Sequence, residues 1–482
     1  MDSLKFSSWL DAYAEKAMER MDVPGAAIGV LKGDQLIYLK GLGSRDVEKK
    51  LPVNEDTIFP IASMTKSFTA ALSCIAMEEK NVSWDSHVRT LLPEFHLYDK
   101  NADAMVSLKD LGSHRTGLLR HDLMGFNFTG SRREFVRRMQ YLKPYGSFRG
   151  EAKYQNQIFA CLGAIPESLW GITWEEALQE KLLKPLQMTR SMTSLEKMLK
   201  DENHMEPYGY REGKMTRLAF GPENHMASAP AGRLKCSLRD MMNYISLFLH
   251  DGKFEGKQII SENNIREMHT PHAVSHILDA YLNYPEFSTS HYGIGWFIDD
   301  FRGHRMAHHG GNGFGWTSHQ TVVKDQDLAI VILTNQDHSV FTYAMTYSII
   351  DKLLAVEDVD WVERYLTLKK KQDEQKAKQT VAHLSGKIDN TPCRELEEFV
   401  GRYVEPGYGE VEISLVEGAL KFHYHPNTYT MTHYHYDVFS MFYEDAGVYF
   451  RVKFEYGLNG KINGFVWELP TSEGGLLSFK KQ

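Results

Sequence analysis

The chain has 482 residues, 42% hydrophobic and 24% charged, a globular composition with room for one large domain and an appendage. Its formal net charge of −8 argues against nucleic acid as a partner, because binding a phosphate backbone needs a basic face. No run of about 18 uninterrupted apolar residues occurs, so no membrane partner is expected.

The N-terminal stretch "MDSLKFSSWLDAYAEKAMERMDVPG" alternates charged and apolar residues at helical spacing. It lacks the basic start and continuous apolar run of a secretory leader. The cysteines (Cys74, Cys161, Cys236, Cys393) are scattered without a CxxC pair. They read as small buried hydrophobes in a reducing, cytoplasmic setting. Next, "GAAIGVLKGDQLIYLKGLGSRD" places two apolar runs around a Lys-Gly-Asp turn, a hairpin signal. From Ser63 onward, Phe68, Leu72 and Ile75 follow helical spacing. Residues 81–183 read mostly as helices and loops, and "SLRDMMNYISLFLHDGK" as a capped helix. "HYGIGWFIDDF", "RMAHHGGNGFG", "TSHQTVVKD" and "LAIVILTNQD" follow as successive antiparallel strands, then a helix to about Val356. Strands, then helices, then strands give residues 1–356 an α+β organisation, an antiparallel sheet with helices segregated beside it. Residues 357–393 read as a charged helical linker whose lysine run is exposed surface. Residues 394–482 turn aromatic with period-two alternation, the pattern of a small antiparallel β-barrel or sandwich.

Three short stretches carry chemistry. In "FPIASMTKSF", Ser63 stands at a helix start with Lys66 one turn on, within reach of its hydroxyl. A helix N-terminus favours developing negative charge, and a backbone N–H there can serve an oxyanion. The same spacing recurs at Ser194/Lys197 and Ser478/Lys481, in a short charged helix and at the chain end. In "KYQNQIFACLGAI", Tyr154 stands at a loop-to-helix boundary with Asn156 two residues on. A tyrosine beside a lysine ammonium can be acidified and act as general base, and a desolvated lysine can be the base itself. Asn156 can bond both the lysine and a substrate amide, whereas a second "YLN" at Tyr281–Asn283 lacks that context. In "AHHGGNGFGW", His308 and His309 precede Gly310 and Gly311 on an expected strand edge, where glycine lets a substrate backbone lie close. His308 is expected to donate to Tyr154 or the acyl group, and the Gly311 amide to complete an oxyanion hole with that of Ser63. A third decoy, "HDG" at His250, ends a helix.

Taken in order, "SMTK", "YQN" and "HHG" resemble the SxxK, YxN and K/HxG motifs of the serine β-lactamase and penicillin-binding protein superfamily. The spacing is similar to that of class C β-lactamases and related serine peptidases and esterases, over roughly residues 10 to 355. The resemblance implies a β-lactamase/transpeptidase-like fold with a helical subdomain, no cofactor and no metal. It implies Ser63 as acylated nucleophile, Lys66 and Tyr154 sharing the proton traffic, and Asn156 binding the substrate amide. His308 would replace the motif's lysine, with Gly310 and Gly311 lining the oxyanion side. The C-terminal unit resembles the lipocalin-like barrel of some members, among them D-amino-acid-specific and self-compartmentalising peptidases, and homo-oligomerisation through it is one expectation. Histidine in the third motif is only partly charged near neutrality, which favours a peptidase, amidase or esterase over an efficient β-lactamase. Small peptide, amide or ester substrates are therefore expected. An acyltransferase, a weak β-lactamase and an inactive scaffold are the alternatives. In the barrel, "HYHP" and "HYHYD" put His423 with His425, and His433 with His435, on shared strand faces; local hydrogen bonding is expected there rather than zinc. His114 and His121 read as loop-stabilising.

Overall fold

The computed structural model describes residues 3–482 except 212, 222–225, 277–283, 357–358, 444–447 and 470–474. The Tyr281–Asn283 pair lies outside the described residues. A nine-stranded antiparallel sheet runs in the order Ala273–Val274, Phe287–Tyr292, Phe297–Phe301, His304–Gly313, Trp316–Val323, Leu328–Thr334, Gly25–Lys32, Gln35–Asp46 and Leu51–Pro52. The Lys-Gly-Asp turn does close the first hairpin, pairing Lys32 with Gln35. Leu328–Thr334 lies mid-sheet and is buried on both faces, which explains its unbroken apolar run. Ile330 and Ile332 point to one core, beneath helices Ser3–Arg20 and Phe341–Leu354. Val331 and Leu333 point to the other, shared with helices Thr65–Glu79, Asn156–Trp170 and Leu238–Leu249.

"HYGIGWFIDDF" is two strands rather than one, broken by a turn at residues 293–296. Gly295 sits there at φ 74°, and a Cβ on it would lie 2.9 Å from the Lys66 carbonyl. Only glycine lets this turn press on the Ser63–Lys66 segment.

Helix Trp361–Ser385 buries Trp361, Val362 and Tyr365 against the large domain, and its lysine-rich remainder is exposed. The last eight strands, Gly401–Glu405 to Leu476–Lys481, close into an antiparallel barrel. Its lumen is filled by Phe399, Tyr403, Phe422, Phe454, Phe465 and Trp467. These residues belong to the same contiguous apolar cluster as the core around Thr65–Glu79, so that core continues from one unit into the other. Among the described residues, no helix is long and apolar enough to cross a membrane.

Candidate active site

Ser63 lies in a 3-10 turn, Ala62–Met64, that feeds helix Thr65–Glu79. Ala62 takes φ 45°, a left-handed conformation that costs an L-residue about 1–2 kcal/mol. Lys66 is fully buried; its Nζ donates to Asn156 Oδ1 at 2.7 Å and the Ala231 carbonyl at 2.7 Å, and lies 3.1 Å from Ser63 Oγ. Burial first, and then the Arg120 charge, push the Lys66 pKa well below its ordinary value, while Asp122 opposes the shift. A neutral amine held at this distance can take the serine proton.

Tyr154 precedes helix Asn156–Trp170, and the Lys66 Nζ lies 4.8 Å from its ring centre. Burial pushes the phenol pKa up, against smaller opposing effects of its hydrogen bond with Ser63 and the Arg120 charge. Burial thus works against an acidified Tyr154 and favours the neutral form of Lys66. Asn156 Nδ2 donates to Asp122 Oδ1 at 2.7 Å, which turns its carbonyl toward Lys66. Arg120 pairs with Asp122 and stands 5.5 Å from the centre of the Tyr154 ring, its side chain 51% exposed. His114 packs 4.5 Å from the Tyr154 ring and accepts the Gln155 N–H at 3.2 Å, so it supports the "YQN" loop from beneath.

His308 does not reach Tyr154. Successive strand side chains alternate between faces, and Met306, His308 and Gly310 point to the helix Phe341–Leu354 side, where a Gly310 Cβ would meet the Tyr343 hydroxyl. There His308 bonds through Nε2 to Asp299 at 2.8 Å and through Nδ1 to His319 Nε2 at 3.0 Å. Ala307, His309 and Gly311 face the opposite way, and the His309 ring lies 6.0 Å from that of Tyr154. His309 Nδ1–H donates to the Gly310 carbonyl at 2.7 Å. Burial and the nearby Lys66 hold His309 well below the usual histidine pKa, so its neutral Nε2 accepts from the Tyr292 hydroxyl at 3.0 Å. Gly311 meets the serine turn directly, since a Cβ there would lie 2.1 Å from the Ile61 carbonyl. Strand Phe297–Phe301 stops pairing at His308, so, among the described residues, 309–313 have a strand neighbour only on the Trp316–Val323 side.

The structure thus brings Ser63, Lys66, Tyr154, Asn156 and Gly311 together, and puts His309 where His308 was expected. Arg120, Asp122 and the Ala231 carbonyl were not singled out by sequence; they lie in the stretches "LGSHRTGLLRHD" and "APAGRLKCSLRDM". The decoys have structural roles: Ser194 caps helix Leu195–Lys200, and Ser478 and Lys481 sit in a barrel strand. His423 bonds Ser414 at 2.7 Å and Thr428 at 3.0 Å, and His433 bonds the Tyr436 carbonyl at 2.7 Å. Among the described residues, no three His, Cys, Asp or Glu side chains converge as a metal site would require.

Comparison with known proteins gives a consistent picture. The beta-lactamase family profile matches residues 10–354, and a domain of unknown function (DUF3471) matches residues 387–481. The unguisins hydrolase ungD' of Aspergillus campestris is 25% identical over 83% of this chain and 76% of its own length. Protein flp of Staphylococcus aureus is 22% identical over 68% of this chain and 62% of its own. Among solved structures, the octameric penicillin-binding protein homologue from Pyrococcus abyssi covers 100% of both chains with TM-score 0.64 at 21% identity. The class C beta lactamase from Rhodobacter sphaeroides covers 72% of this chain and 100% of its own, with TM-score 0.58 at 20% identity.

Proposed function

This chain belongs to the beta-lactamase family, and from that premise we propose that it is a serine hydrolase of peptide or amide bonds, acting through a Ser63 acyl-enzyme. The observation that carries the peptide reading is the open strand edge at residues 309–313, beside the serine turn. An extended peptide can add to such an edge through backbone hydrogen bonds, laying its scissile carbonyl over Ser63. In this reading Lys66 takes the Ser63 proton as Oγ attacks the carbonyl carbon. The oxyanion forms between the Ser63 and Gly311 amides. Tyr154, protonated and bonded to Ser63, donates its proton to the departing nitrogen and is reprotonated from Lys66. Water then repeats the sequence on the acyl-enzyme. Asn156 holds the Lys66 amine and orients the substrate amide. The neutral His309 at the third motif gives a penicillin carboxylate no fixed positive charge, which supports peptide over β-lactam.

The test is intact mass and turnover with an activated ester, a penicillin, and D- and L-amino-acid amides, beside Ser63→Ala. An acyl adduct on the native chain only, with amides turning over faster than penicillin, is expected. An adduct that persists on Ser63→Ala, or penicillin as the best substrate, overturns the reading.

A further inference from the structure

We infer that the C-terminal barrel is a working part of the active site, with Tyr408 as a positioning residue that clamps the 119–122 segment against Lys66 and Asn156. The inference rests on the reading of Ser63 as nucleophile.

Tyr408 sits in the turn between strands Gly401–Glu405 and Gly409–Val416, near the end of the barrel that meets the large domain. The barrel holds it from both sides of its backbone. Its N–H donates to Glu405 Oε2 at 2.7 Å, and its carbonyl accepts from the Tyr424 hydroxyl at 3.1 Å. The Tyr408 hydroxyl leaves the barrel and shares a 2.8 Å hydrogen bond with Nδ1 of His121, both residues being buried. The residues on either side of His121 are Arg120 and Asp122. Asp122 takes the Asn156 amide, and Asn156 takes Lys66. A continuous line of contacts therefore joins a barrel side chain to the amine beside the serine.

The neighbouring contacts fit a clamp. Arg138 donates to the Gly407 carbonyl at 3.3 Å. A Cβ on Gly407 would lie 3.1 Å from Leu142, and one on Gly475 would lie 3.0 Å from Leu119. Glycine at both barrel positions lets the two surfaces close onto the segment that carries Arg120 and Asp122. A passive tether would need none of this, because the long helix already links the units.

Arg120 depresses Lys66 more strongly than Asp122 supports it, so the segment as a whole favours the neutral amine. Loosening the segment then raises the Lys66 pKa. The experiment measures acylation of the full chain by p-nitrophenyl acetate, as a function of pH, in Tyr408→Phe and Tyr403→Phe. Tyr403 is an equally buried barrel tyrosine whose hydroxyl donates to the Phe399 carbonyl at 2.8 Å, away from the interface. Both variants lose one buried hydrogen bond, which controls for stability. Tyr408→Phe is expected to slow acylation about fivefold or more and to move the acid limb to higher pH, and Tyr403→Phe to do neither. In the double variant, Arg120→Gln is expected to add less than about twofold to Tyr408→Phe, as coupled positions do. Unchanged acylation in Tyr408→Phe, an equal loss in Tyr403→Phe, or full multiplicativity with Arg120→Gln overturns the inference. Absence of acylation in the native chain overturns the Ser63 reading instead.

Discussion

Replacing Arg120 by glutamine tests the electrostatics of the site. The Lys66 Nζ and the Arg120 guanidinium lie 4.8 and 5.5 Å from the centre of the same tyrosine ring, so the two charges stand within about 10 Å of each other. At an effective dielectric constant of about 20, unit charges at that distance repel by about 1.7 kcal/mol. The guanidinium is half exposed and paired with Asp122, so solvent and counter-charge cut this to about 0.7 kcal/mol, enough to move a titration limb by about 0.5 pH unit. Removing the cation lets Lys66 hold its proton to higher pH, and a protonated amine takes no proton from serine. Arg120→Gln should therefore move the acid limb of the acylation profile up by about 0.5 unit at low ionic strength, while Arg120→Lys leaves it in place. Stopped-flow acylation by p-nitrophenyl acetate from pH 5 to 10 reads the limb. Repeating it near 1 M salt, where the Debye length is about 3 Å, should shrink the shift. A limb that stays put at low salt, or moves down, refutes Lys66 as the neutral base.

Three further outcomes are expected. His309→Gln should slow acylation at least about tenfold, whereas His308→Gln should cost about 2–4 kcal/mol in denaturant unfolding by breaking the buried pair with Asp299, with acylation per folded molecule unchanged. Gly311→Ala should lower acylation more than tenfold, measured by adduct formation, because its Cβ would displace the strand from the Ile61 carbonyl 2.1 Å away; this assumes overpacking of about 1–3 kcal/mol. Burial holds His121 down to about 4, so the unfolded chain takes up that proton first as pH falls from about 6.5. Stability should drop by up to about 3 kcal/mol across that window, and His121→Gln should remove that part of the pH dependence in thermal melts.

The parts of the site set by local geometry were legible in the sequence. Ser63 and Lys66 lie one helical turn apart, so periodicity alone puts them on one face, and Tyr154 and Asn156 bracket a recognisable helix start. The alternating aromatics after residue 394 likewise announced an all-β unit, and the apolar run Leu328–Thr334 an antiparallel strand. Strand parity was not legible. Two adjacent histidines differ by one step of a period-two pattern, and only the pairing of His308 with Phe297 and Thr321 shows which face each takes. The direction of the Tyr154 shift was missed because it depends on burial, which belongs to the assembled fold. Arg120 sits in a loop and Asp122 opens the short helix Asp122–Asn127, and their importance comes from Asn156 and Lys66, distant in sequence.

The apolar core that runs unbroken from helix Thr65–Glu79 into the barrel has a thermodynamic consequence. Units that share a core do not melt apart, because losing one strips cover from the other. The whole chain should therefore give a single calorimetric transition, with matching van't Hoff and calorimetric enthalpies. Cutting the chain after residue 386 would leave a greasy wound on the catalytic half instead of a smaller enzyme. A lineage that first acquired the barrel as an optional appendage would, once that core had fused, have lost the freedom to discard it.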